Sequence, residues 1–468
     1  MIPLRLRHFA VACALGALTL ASHAAEVPLP ALRDFDPATV RGTAGFFRVG
    51  RTHTGQWWLI SPKDEAFFSK GVTAINRAGT MGGRWAKRGP YADAIDAKFG
   101  PTDPEPFVSD VLRRLQAWNI NTMASWTTAE FFDRGVPYTE VLEFRKISPH
   151  AFKVGPANLP DVFDPRWAEA CDRWAAEICR PRRESRDLIG YFTDNELGWA
   201  QPRAESLFAQ VHLESTQQAP ERPSLLQICL GLDPAYAARR AAWDFVLARH
   251  RDLAGLARAW AVEMDDENAL ARLTAADTAL LSPGYIEDNR AFSAEFARRY
   301  FRTTAEAIRR HDPNHLVLGC RFGGPPGRTI LEACIAPEVD VLSANNYRDT
   351  FYERLDEYYT VNAMPILVGE FAWASDYFVK RPIPDEPPGT SVLQRMQTKG
   401  SAALEKAITH PGLVGYAWYR WVQGDPAKIP PYSYGLVYIN DETAHEHVDV
   451  IRDINARAEQ IRLQAAAR

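Results

Sequence analysis

Cysteine is scarce in this chain, six in 468 residues, and it occurs in no CxxC or Cys/His spacing. That excludes a disulfide framework and a structural zinc ligand set. Residues 1–24 carry one of the six, Cys13. The other five, Cys171, Cys179, Cys229, Cys320 and Cys334, read as small buried apolar side chains. One pair among them could still bridge, but not Cys171 with Cys179, which fall two turns apart on one expected helix and cannot do so while it is intact. Positive charge has no surplus, with 54 Lys plus Arg against 58 Asp plus Glu and no concentrated basic run. A nucleic-acid partner is therefore not expected, since neutralising phosphates needs a basic surface. The Gly-rich stretch GCRFGGPPG (319–327) lacks the Lys-Ser/Thr of a phosphate loop and reads as a strand end and turn.

Long apolar runs are almost absent as well. The exception is Phe9 to Ala21, preceded by Arg5 and Arg7 and followed by the small residues Ser22 and Ala24. It is too short for a comfortable membrane span and has the layout of a secretory signal, cleaved near Ala24. The expectation is an exported protein, periplasmic or secreted, with no membrane span in the mature chain. What is abundant is aromatic surface, with 23 Phe, 16 Tyr and 13 Trp, which rules out disorder as a description of the whole chain.

Residues 46–60, FFRVGRTHTGQWWLI, alternate around a Gly-containing turn and predict a β-hairpin within an N-terminal extension, 25–66. Eight short apolar segments then recur between helical stretches, at 68–76, 119–126, 140–147, 188–195, 315–322, 339–347, 365–371 and 413–421. Strand and helix alternating eight times implies a parallel (β/α)8 TIM barrel over 67–468. Between the fourth and fifth strands the pattern is almost wholly helical, as in FVLARHRDLAGLARAW, so 202–310 is expected to be a helical insertion. The Pro-rich segment KRPIPDEPPG (380–389) must be irregular.

The C-terminal ends of barrel strands face the active site. Reading them in order gives Asn76 and Arg77, Trp126, Asn195 and Glu196, Arg321, Asn346 and Tyr347, Glu370, and Trp418 or Trp421. Two carboxylates among amides, a guanidinium and aromatic rings suit a sugar. Rings stack on pyranose faces, amides and Arg bond hydroxyls, and paired acids cleave the acetal. Glu196 in GYFTDNELGW (190–199) facing Glu370 from the seventh strand has the layout of retaining glycoside hydrolysis, which places the carboxyls about 5–5.5 Å apart. Glu196 would protonate the leaving oxygen, and Glu370 would attack the anomeric carbon. Like charges so close should raise one pKa and keep the acid protonated.

GYFTDNELGW and ILVGEF resemble the acid/base and nucleophile motifs of clan A glycoside hydrolases. Within that clan the chain is most similar to the family 50 β-agarases and more distantly to the family 42 β-galactosidases, through QWWLISPKDEAFFSKGVTAIN (56–76), NINTMASW (119–126), HDPNHLVLGCRFGG (311–324) and SYGLVYINDETAHEHV (433–448). The resemblance implies Glu196 as acid/base, Glu370 as nucleophile and Asn195 as partner of the sugar 2-hydroxyl. It further implies that Tyr347 orients Glu370, that Trp418 floors a subsite, and that Arg321 and Trp126 line the pocket. The implied substrate is a galactose-containing oligo- or polysaccharide, with no cofactor and no metal. Other sugars (glucan, mannan, xylan) and a non-catalytic glycan-binding barrel remain as alternatives. Against catalysis stands a structural ion pair for the two acids. Arg321 could equally be the buried partner of a carboxylate, and Asn195 a helix cap. His445 and His447 read as a solvated turn before the last helix rather than metal ligands.

Overall fold

The structure is a computed structural model that describes residues 28–155, 157–200, 223–267, 269, 282–381, 383, 386–423 and 434–467. The expected export signal and its expected cleavage point lie outside these residues, as do parts of the expected insertion and of the Pro-rich segment. Among the described residues no helix is long and apolar enough to cross a membrane.

The chain opens with a small antiparallel sheet. β1 (Arg48–Arg51) pairs with β2 (Trp57–Ile60), Arg48 opposite Ile60 and Arg51 opposite Trp57, and β3 (Ala66–Phe67) adds to β2. Every residue of β2 is buried, because this sheet is laid across one end of a larger one. The Trp57 amide donates to the Pro411 carbonyl at 2.8 Å and its indole to Ala363 at 3.0 Å, both just ahead of strands of the larger sheet. Arg462, buried on the last helix (His445–Ala466), donates to the carbonyls of Ile408 and His410 at 3.1 and 2.9 Å. The N-terminal ends of those strands are thereby sealed. Only their C-terminal ends are left to hold a site.

The larger sheet is parallel. It holds β4 (Ser69–Val72), β5 (Thr122–Met123) and β6 (Tyr138–Val141). After a separate antiparallel pair, β7 (Ala151–Val154) with β8 (Ala157–Pro160), come β9 (Leu188–Phe192), β10 (Leu316–Val317), β11 (Arg321–Phe322), β12 (Leu342–Asn346), β13 (Ile366–Phe371) and β14 (Leu413–Trp418). The order is β10-β9-β6-β5-β4-β14-β13-β12-β11. Its two outermost strands, β10 and β11, are halves of one segment, so the nine strands curl round on themselves as in a TIM-like barrel. The join is held from below by His315, whose ring bonds Asp312 and the Ser185 carbonyl, each at 2.7 Å.

Seven of the eight expected segments contain strands at the expected places. The third departs, since β6 begins two residues early, at Tyr138, and 144–147 is a 3-10 turn. Glu143 explains it, because its left-handed backbone (φ 55°) stops the strand. In the expected insertion the described helices are Leu225–Leu230, Ala237–His250, Leu253–Trp260 and Pro283–His311. The run FVLARHRDLAGLARAW is two helices, broken at Arg251 (φ 71°) and restarted where the Asp252 side chain caps the Gly255 amide at 2.7 Å. The helix Pro283–His311 packs on the helix Pro165–Ile178 through Tyr300 and Trp167, so its second half belongs to the outer layer of the barrel. All five described cysteines are free and buried.

Candidate active site

Four successive strands of the sheet run out into non-glycine residues with left-handed backbones: Ala74 (φ 60°) after β4, Trp126 (65°) after β5, Glu143 (55°) after β6 and Glu196 (53°) after β9. Each such residue costs about 1–2 kcal/mol, and strain of this kind concentrates at functional positions. Its local effect is to break the side-to-side alternation of the strand. That is how Asn195 and Glu196, neighbours in sequence, both reach the same partner. Asn345 Nδ2 donates to Glu196 Oε1 at 2.9 Å and lies 3.2 Å from Asn195 Oδ1. Asn345 reaches them because the register of β12 slips between Ala344 and Asn345, bringing Asn345 opposite Glu370 on β13.

Glu370 is 4% exposed and is gripped on both oxygens. Arg321 Nη2 donates to its Oε1 at 2.9 Å and the Tyr347 hydroxyl to its Oε2. The same Arg321 nitrogen donates to the Gly369 carbonyl at 2.7 Å, and the guanidinium lies over the Trp126 ring, 4.4 Å from its centroid. A glycine is needed at 369 for this, since a Cβ there would sit 2.4 Å from Arg321 Nε. The Arg321 carbonyl in turn accepts from the Glu196 amide at 2.8 Å. Arg321 thus ties the two strand ends carrying the acids to each other.

The Glu370 carboxyl is pushed above its ordinary value, by burial first, with Arg321 pulling the other way, the Glu196 charge raising it further and the Tyr347 and Arg321 hydrogen bonds lowering it. At Glu370 loss of water outweighs the like-charge repulsion expected from the sequence as the cause of the rise. Tyr347 is driven well above the usual phenol range by burial and by the Glu370 charge, so it remains a donor. Behind Glu196, burial lifts Asp194 to about 7, while it accepts from Tyr300 at 2.7 Å and from the Arg145 amide at 3.0 Å.

Of the residues expected from strand ends, Glu196, Glu370, Asn195, Tyr347, Arg321 and Trp126 come together. Asn346 is held locally, its Oδ1 accepting from the Arg348 amide at 3.1 Å. Trp418 is 1% exposed, edge-on to Trp373 with centroids 4.6 Å apart, and its indole donates to the Tyr434 carbonyl at 2.7 Å. The half-buried rings beside Glu370 are instead Tyr347, Tyr419 and Tyr434, edge-to-face with one another at 5.6–6.0 Å. Asn76 and Arg77 brace a loop, Asn76 through the Thr80 carbonyl and Arg77 through Asp96. His447 is not in a solvated turn. It lies fully buried inside the last helix and accepts from the Trp373 indole at 3.1 Å.

Asn345, Tyr419 and Tyr434 were not legible as site residues. A register slip leaves no mark in a sequence, although Asn345 and Tyr419 each adjoin a residue that the strand-end reading did select. In a cleft of about 300 Å³ beside Trp126 and Trp85, Glu140 pairs with Arg84 and Arg182 and Glu143 with Lys146, while Glu130 accepts from the Thr128 hydroxyl at 2.6 Å. Among the described residues no three His, Cys, Asp or Glu side chains gather as a metal-ligand group.

No family model matches the sequence. The chain is similar to β-agarase A of Vibrio sp. (strain JT0107), 25% identical over 493 aligned positions that cover 90% of this chain and 47% of the relative. β-Agarase B of the same strain is 21% identical, covering 73% of this chain and 40% of its own. This chain therefore spans about half the length of the curated relatives it matches. Among solved structures, an exo-β-agarase superposes with a TM-score of 0.66 at 19% identity, covering 90% of this chain and 66% of the other. The agarase AgWH50C gives 0.68 at 19%, covering 93% and 66%. At those identities the likeness is one of fold.

Proposed function

We propose that this chain is an exported retaining β-glycosidase acting on agar-type or other galactose-containing glycans. The observation that carries the reading is the paired carboxyls, Glu370 on β13 gripped by Arg321 and Tyr347 and Glu196 after β9 by Asn345, at two strand ends of one curled parallel sheet that Arg321 ties together. The likeness to β-agarases adds the substrate class.

In this reading Glu370 attacks the anomeric carbon as the glycosidic C–O bond breaks, and Glu196 gives its proton to the departing oxygen. Water then attacks the glycosyl ester, Glu196 takes a proton from it, and Glu370 leaves as carboxylate, so one bond is hydrolysed per water consumed. Arg321 and Tyr347 act against the effect of burial on Glu370 and so favour its anionic form, the form a nucleophile needs. Asn345 occupies the Asn195 carbonyl, leaving the Asn195 NH2 to meet a sugar hydroxyl. The test is turnover by the purified chain of a panel of aryl β-glycosides, agarose and agarose oligosaccharides. Release from β-galactosides or agarose oligosaccharides supports the reading, and binding without product supports a non-catalytic barrel.

The electrostatics give a signed expectation. Activity requires ionised Glu370, so it is lost as pH falls through the Glu370 pKa. Arg321 lowers that pKa, and Arg321→Gln therefore moves the acid limb of the kcat/KM profile to higher pH, by about 1–3 units on the usual scale of a charge partner. Tyr347→Phe shifts the limb in the same direction by less. A limb that stays put in Arg321→Gln contradicts the assignment of Glu370 as the group that must be ionised.

A further inference from the structure

We infer that Gly323 is a positioning residue for Glu196, a role that rests on the glycosidase reading above. Gly323 follows directly on β11, whose Arg321 carbonyl accepts from the Glu196 amide at 2.8 Å. A Cβ built on Gly323 would lie 2.8 Å from both Cγ and Cδ of Glu196 and 3.0 Å from its Oε1. The backbone itself does not ask for glycine here, because the φ of Gly323 is outside the left-handed range. The need is steric, and it is directed at one side chain.

What would yield to an added methyl is the mobile end of a glutamate, not main chain. Alanine at 323 is therefore mild for the fold and severe for the acid. The carboxyl cannot simply slide aside, since Asn345 holds Oε1 at 2.9 Å and any shift gives up that bond. Gly324 next door has nothing within 4 Å of its own virtual Cβ, so it supplies a matched control one residue away.

The experiment uses the purified chain and two aryl β-glycosides of a sugar it turns over, one with a good leaving group (2,4-dinitrophenyl) and one with a poor one (phenyl). Gly323→Ala is expected to lose roughly 10²-fold in kcat/KM on the poor leaving group, the scale of a misplaced catalytic group. It is expected to lose under about tenfold on the good one, which needs little proton donation. Gly324→Ala should match wild type on both, and the thermal midpoints of all three should agree. Added to Glu196→Ala, Gly323→Ala should cost nothing further, because the atoms it displaces are gone.

Equal losses on the two substrates, a large drop in midpoint, failure of Gly323→Ala to fold, or additive losses in the double variant each overturn the role of Gly323. Should Glu196→Ala itself show no leaving-group dependence, it is the acid/base role of Glu196 in the glycosidase reading that fails, independently of Gly323.

Discussion

Glu370→Gln is expected to lose four to six orders of magnitude in turnover, roughly the scale on which removing a covalent nucleophile acts. Gln keeps the size of the side chain and an oxygen to accept from Arg321, so the pocket keeps its shape. The nucleophilic carboxylate is lost. A second consequence follows from charge. Arg321 is wholly buried and Glu370 is its ion-pair partner, so the variant strands a cation and its thermal midpoint should fall. Rates are therefore compared well below that midpoint, with folding checked by circular dichroism. A variant retaining more than about 1% of wild-type turnover is incompatible with a covalent role of this kind.

Glu196→Ala should behave differently in kind. A general acid contributes about 10²–10⁴-fold, and that contribution is needed in proportion to the basicity of the leaving group. Phenyl glycosides should therefore lose most of their rate and dinitrophenyl glycosides little in the first step. With the good leaving group the second step becomes limiting, because water has lost its base. The signature is a burst of dinitrophenol followed by slow turnover, and azide, which needs no base, should accelerate the slow phase. Uniform loss across leaving groups would mean that Glu196 holds the site together without handling the proton.

Much of the scaffold was legible because the physics that shapes it is periodic. A barrel strand such as 365–371 is a short buried run ending in a polar residue, and its outer helices carry apolar residues at helical spacing. The motif residues were legible for a related reason, since a Glu at the end of a buried strand has few structural uses. Four things were not. The left-handed turn at Glu196 and the register slip before Asn345 arise from strand closure, and together they decide which asparagine meets the acid. The ranking of burial over like charge at Glu370 depends on how completely Arg321, Tyr347 and the strands enclose it. Trp418 looked like a platform from its position, yet Trp373, Phe371 and His447 cover it.

The central claim is that Glu370 forms a bond to the sugar, and a 2-deoxy-2-fluoro glycoside with a good leaving group tests it most directly. Fluorine slows both steps and the leaving group rescues only the first, so the glycosyl-enzyme accumulates. Intact-mass and peptide mass spectrometry should find one 2-fluoroglycosyl unit per chain, located on the peptide containing ILVGEF and on Glu370 within it, with inactivation tracking labelling. A label on any other residue, or steady hydrolysis of the fluoro-sugar with no adduct at any time, would contradict it.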